Sequence, residues 1–325
     1  MDPSMPHMSS ARWMWMPTEP PTLARMFAWH PQPVPVLLVL AVVGAALYLW
    51  AAVRLRMTGH AWPVGYTISF LAGIATLVLF TATGLNGYGM SLFSVHMVQH
   101  MVLTMVTPIL LLVGRPVTLA LRALPSSSQV RHAIVWLLRS RLAKILTSIW
   151  FTLPVFIFTL YGLYFIAPLF DALMNNWAGH EFMLAHFVVT GLLLFWPLLG
   201  LDPSPHQQSA PLRLLESLLP MPFHAFFGIT VMGATVLLVK TFANPPASWH
   251  ISPVADQQTG GGLAWAFSEV PSLFLTLLLG VIWARESGRE ARRLDRSEAR
   301  TDDSQLNAYN AYLASLNAHD QQAGR

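Results

Sequence analysis

Seven runs of about twenty apolar residues, nearly empty of charge, fix the class of this chain before any motif is considered. They cover 34–53, 62–83, 92–113, 147–167, 179–199, 214–239 and 263–283. A soluble domain carries about 25% charged residues. Here the share is 10%, against 54% hydrophobic, and the mean hydropathy is +0.50. A folded globule of this composition cannot wet its whole surface, so lipid must serve as part of the solvent. The expected fold is all-α: a polytopic membrane bundle of about seven transmembrane helices. Pro154 lies in the fourth run and Pro220 and Pro222 in the sixth, where a bundle tolerates kinks. The first run is too long for a signal peptide and follows a Pro- and Met-rich tail instead of a short basic segment.

Basic residues set the expected orientation. Arg54 and Arg56 follow the first run, and Arg115, Arg122, Arg131, Arg139, Arg141 and Lys144 follow the third. Arg285, Arg289, Arg292, Arg293 and Arg296 follow the seventh, whereas the connections 84–91, 168–178 and 241–262 hold no Lys or Arg. The positive-inside rule then places the N-terminus outside and the C-terminus inside. With this alternation a pI near 9.7 is a topology signal, and no nucleic-acid partner is expected. Residues 129–144 pattern as an interfacial helix. The chain divides into an extracytoplasmic Met/Pro-rich tail (1–33), a membrane domain (34–285) and a charged cytoplasmic tail (286–325) expected to be largely disordered beyond a juxtamembrane helix.

Ionisable residues within a span are costly and point to function. At about 1.5 Å per residue, His96 and His100 lie ~6 and ~12 Å below the outer end of the third run, His186 ~10 Å below that of the fifth, and Glu269 ~9 Å below that of the seventh. His180 sits at the rim, Asp256 in the loop above Glu269, and His224 deeper, ~20 Å down. His96 and His100 share a helix face, ~40° apart, with Met97 and Met101 on the adjacent stripe. Met183 and His186 are one turn apart. A lone His in a bundle more often packs than ligates, and Met stripes are ordinary core filler. Four polar groups at one depth change the balance, because a buried polar group without a partner costs about 2–7 kcal/mol.

The chain has no cysteine, which removes disulfides, thiolate metal sites and CxxC redox chemistry. The string His180-Glu181…His186 is not a zincin motif, since its histidines are six apart where HExxH needs four. Imidazole with thioether and no thiolate favours copper. The expected metal ligands are His96, His100, His186, Met97, Met101 and Met183, in an outward-facing pocket. Glu269 and Asp256 are expected to fix the imidazole tautomers behind them. His224 is a possible deeper station. Met5, His7, Met8, Met14 and Met16 of the tail offer a loose capture site on the same side. Haem is the alternative cofactor, held by His100 and His186 as axial ligands. A metal-free scaffold is the third reading.

The blocks SLFSVHMVQHMVLTMVTPILLLVGRPV, HEFMLAHFVVTGLLLFWPLLGLDP, LPMPFHAFFGI and DQQTGGGLAWAFSEVPSLFLTLLLGVIW, in this order, resemble the multi-span CtaG family of caa3-type cytochrome c oxidase assembly factors. That family is distinct from the single-span copper chaperone that shares its name. The resemblance covers about 37–296. It implies a non-enzymatic bacterial plasma-membrane protein that assists assembly of a haem–copper oxidase, with oxidase subunits and an extracytoplasmic copper donor as partners. The family's histidine pair matches His96 and His100, and its later motif residues match His186, His224, Asp256, Gln257, Trp265 and Glu269. The spacing around His180 varies in the family, so its match stays open. Neither tail is covered by the resemblance.

Overall fold

The computed structural model describes residues 14–205 and 208–323. Its elements are helices; the described residues add an isolated antiparallel bridge between Trp29 and Thr83. The main helices are α1 (Val36–Met57), α2 (Val64–Ala82), α3 (93–113) and the amphipathic α4 (Gln129–Arg139). They are followed by α5 (Ile149–Phe165), α6 (Ala167–Met174), α7 (Trp177–Leu199), α8 (Pro211–Gly233) and α9 (Pro253–Ala323). Among the described residues six helices are long and apolar enough to cross a membrane, or seven if the α5–α6 pair forms one crossing. The chain is a multi-pass membrane protein.

Burial shows which helix is central. The span that begins with α3 is 78% buried and α7 61%, whereas α1 and α2 are 28% buried each. The α3 helix packs between α2 and α7. Gly191 of α7 lets the two backbones touch, because a Cβ there would run into the Thr104 carbonyl of α3. At the far end of α3, Tyr48 stacks on Phe70 at 4.0 Å and its hydroxyl donates to the Gly114 carbonyl at 2.7 Å. Arg115 lies over the Tyr66 ring at 4.7 Å, which attaches the basic end of the bundle to its aromatic core.

Four expectations need correction. The connection after the fourth run is not a plain loop: α5 fills the run, and α6 follows it at 88°. Pro168, at the start of α6, has no N–H for the Tyr164 carbonyl and would clash with it, so the helix stops at Phe165. The sixth span ends at Gly233, not 239. Gln257 and Gln258 of α9 take up the backbone of 234–239 instead: Gln257 Oε1 accepts from Leu238 N and Val239 N at 2.7 and 3.1 Å, and Gln257 Nε2 and Gln258 Nε2 donate to the Val236 and Ala234 carbonyls. The interfacial segment is two helices, Gln129–Arg139 and Arg141–Leu146, with Ser140 capping the second by accepting from Ala143 N at 3.0 Å. The tail expected to lose structure is helical to Ala323. The chain divides into two compact units, one ending at Thr276 and one starting at Leu277, and α9 contributes to both.

Candidate functional site

The site is built around the first turns of α3. Leu92 is extended, and the helix opens at Phe93 with its first amide groups unpaired by the helix itself. Asp256, from α9, supplies the missing acceptors. Its Oδ2 accepts from Phe93 N at 2.6 Å and Ser94 N at 3.4 Å, and its Oδ1 accepts from the Ser94 hydroxyl. This carboxylate fixes the start, and so the register, of the helix that carries His96 and His100.

Both imidazoles are buried, at 0% and 1% exposure. His96 Nδ1 lies 3.2 Å from the Gly89 carbonyl. A carbonyl only accepts, so Nδ1 carries the proton and Nε2 is left with a bare lone pair. That Nε2 has no hydrogen-bond partner among the described residues, and neither does Nε2 of His180 or of His224. The walls around His96 are aromatic: Tyr164, Phe170, Phe187 and Phe242 stand with ring centroids 5.6 to 6.1 Å away. His180 is buried as well, at 1% exposure.

The other two imidazoles of the layer already have partners. His100 Nδ1 is 3.1 Å from the Tyr164 hydroxyl. His186 Nε2 is 2.7 Å from Thr159 Oγ1, whose own proton goes to the Val155 carbonyl at 2.8 Å. The hydroxyl has no second proton to give, so His186 must donate. Thr159 lies in a π-helical turn (Phe158–Gly162), and a second such turn (Val102–Val106) follows His100 directly. The turn in α3 has a local cause: Pro108 cannot bond the Thr104 carbonyl, so the regular ladder fails there.

This end of α3 is covered. Residues from Trp15 to Gln32 lie over the short helix Gly84–Gly89. Trp15 and Gln32 exchange hydrogen bonds, and the Trp15 ring stacks on His30 at 4.5 Å. Gly87 has no side chain because the Trp15 ring occupies that space. Thr18 accepts from Trp249 Nε1 at 3.1 Å, and Glu19 from the Tyr88 hydroxyl at 3.0 Å. Burial in this contact raises the Tyr88 pKa above its ordinary value.

Residues 46–286 match the family described as cytochrome c oxidase caa3 assembly factor (Caa3_CtaG). The chain belongs to this family. Similar proteins include uncharacterized proteins of Mycobacterium bovis and Mycobacterium tuberculosis, each 40% identical over 308 residues, and one of Mycobacterium leprae at 38%. The matches cover 92% of this chain and 46% of each relative, so the chain spans about half the length of the curated relatives it matches. No solved structure matches it.

The expected site residues separate into three groups. His96, His100, His180 and His224 are buried, as are Met97, Met101 and Met183. Asp256 and Gln257 do not touch the imidazoles; they hold the α3 start and the 234–239 segment. Glu269 and Trp265 are both exposed, although the Trp265 backbone and Cβ pack against Gly228 of α8. Glu269 lies about 140° around α9 from the inward-facing Asp256, so it cannot serve the histidines. Among the described residues no group of three His, Asp or Glu is placed to hold one ion, so His96, His100 and His186 do not form a three-nitrogen site. His96 and His100, expected to line an outward-facing pocket, are buried at 0% and 1% exposure. Met5, His7 and Met8 lie outside the described residues, and Met16 is exposed beside His30 in the covering segment. Sequence reasoning missed Tyr164, Thr159 and Asp202. Asp202 does for Val117 N and Thr118 N what Asp256 does for α3, with acceptor distances of 3.0 and 2.9 Å.

Proposed function

We propose that this protein is an assembly factor for a haem–copper cytochrome c oxidase in a bacterial plasma membrane, and that it handles copper as cargo. It lies with its N-terminus outside and its C-terminus inside, as the charge pattern requires. The observation that carries the copper reading is the pair of unpartnered, buried Nε2 atoms on His96 and His180. An unsatisfied buried lone pair costs about 1–3 kcal/mol. The bare Nε2 of His96, in an aromatic enclosure, fits a soft cation better than a proton, and the unpartnered Nε2 of His180 offers a second nitrogen.

His96 and His180 would hold the metal, with Met183, one helical turn beyond His180, as the thioether donor. Copper so held would be screened from water and from unwanted oxidation until handed on. The Gly89 carbonyl keeps the His96 proton on Nδ1 and so keeps Nε2 available. Tyr164 and Thr159 hold His100 and His186 in place, and both histidines act as positioning residues. His224 offers a further unpartnered nitrogen on α8. Loading requires the 14–32 segment to lift, since it covers this end of the bundle. The haem reading has less support: the Phe187 ring stands 4.4 Å from that of His100, in the space a porphyrin would need. A metal-free scaffold predicts that the unpartnered nitrogens stay unpartnered.

The test is copper content and oxidase activity in cells carrying the wild type, His96→Ala or His180→Ala. Loss of copper from the purified variants together with loss of oxidase copper supports the reading. Full oxidase copper with either variant overturns it.

A further inference from the structure

The second unit carries a feature that the assembly function leaves unused. Arg285, Arg289, Arg292, Arg293 and Arg296 follow the last apolar run, and none of these positions is lysine. At about 100° per residue they fall within an arc of about 100° on α9. The neighbouring acids Glu286, Glu290 and Asp295 sit about 60°, about 100° and about 120° from Arg289, outside that arc. Four of the guanidinium side chains, those of Arg289, Arg292, Arg293 and Arg296, line a single cleft of about 310 Å³. All four residues are exposed, and none makes an ion pair among the described residues; Arg292 Nε donates to the Gly288 carbonyl at 3.2 Å.

A solvated charged helix face usually alternates its signs and pairs them at i and i+4. Within this arc the charges are all positive, and no acid stands four residues from any of the five arginines. Its place along the chain says what it meets. Trp283, a residue type that favours the membrane–water boundary, is two residues before Arg285. The stripe therefore starts within about 3 Å of that boundary and runs to about 20 Å from it. Helical Cα–Cβ bonds tilt toward the N-terminus, which is the membrane side of this segment, so the guanidinium groups lean back toward the headgroups. Guanidinium matches phosphate with two parallel hydrogen bonds, which ammonium cannot.

We propose that this arginine face is a binding site for the phosphate-bearing headgroup of an anionic phospholipid. Juxtamembrane clusters of this size are recognition surfaces for such lipids.

The test uses the full-length protein purified in a non-ionic detergent. Native mass spectrometry follows bound lipid on addition of phosphatidylglycerol, cardiolipin or phosphatidylcholine, with inorganic phosphate as competitor. The wild type is expected to retain phosphatidylglycerol or cardiolipin over phosphatidylcholine. The variant R289Q/R292Q/R293Q/R296Q is expected to retain at least tenfold less, at an unchanged thermal midpoint. R54Q/R56Q, which removes basic charge elsewhere, should bind as the wild type does. Equal retention by the wild type and the fourfold variant overturns the proposal. So does displacement by inorganic phosphate without preference among lipids, which would mean a free-anion site. Failure of the wild type to hold any anionic lipid also overturns it and leaves the face to an acidic protein partner.

Discussion

His96 and His186 sit at similar depths on neighbouring helices, yet their partners give them opposite roles. The Gly89 carbonyl holds the His96 proton on Nδ1 and frees Nε2. The saturated Thr159 hydroxyl forces His186 to donate through Nε2. His96→Ala and His180→Ala are therefore expected to lose bound copper, whereas His186→Ala keeps it and loses about 1 kcal/mol of stability. Metal analysis and thermal unfolding on the same samples separate these outcomes. Tyr164→Phe should likewise cost about 1 kcal/mol through the lost contact to His100. Asp256 makes a similar distinction. As an expected partner of the imidazoles its removal would change metal binding directly. As the cap of α3 its replacement by Ala should cost about 1–2 kcal/mol, with Asn recovering part of that, as an N-cap does. Of the site residues, the His pair on α3 was legible in the sequence because its spacing and depth are properties of one helix. The orientation of Glu269 was not. Depth along a helix does not say which side faces its neighbours, and α9 turns Asp256 and Gln257 inward while exposing Glu269.

Hydropathy made the spans readable, and proline and glutamine chemistry decided where it failed. The apolar runs give α1, α2, α3 and α7 to within a few residues, because a helix is the cheapest way to satisfy backbone groups in lipid. The 88° break after α5 depends on Pro168, and the early end of α8 on Gln257, a side chain from elsewhere in the chain. An apolar-window count cannot register either. The α3–α7 contact gives the sharpest expectation for an element. Gly191→Val places a branched side chain against the Thr104 carbonyl and should cost about 3 kcal/mol or abolish folding. The readout is fluorescence-detected size exclusion beside Gly65→Ala, where open space surrounds the added methyl group. A normal profile for Gly191→Val would mean that α3 and α7 do not pack as closely as described.

At the scale of the whole molecule, topology and cargo are the two claims to test. The absence of cysteine lets single introduced thiols report sidedness without background. Asn175→Cys, between α6 and α7, is expected to react with a membrane-impermeant maleimide from outside the cell, and Ser127→Cys, before α4, only after permeabilisation. The reverse pattern would invert the orientation. The most direct test of the central claim is the metal content of purified full-length protein, measured beside a His96→Ala/His180→Ala variant with a visible spectrum on each sample. This account predicts about one copper per chain in the wild type, none in the variant and no Soret band in either. Equal copper in both proteins, or a haem spectrum in the wild type, would contradict it.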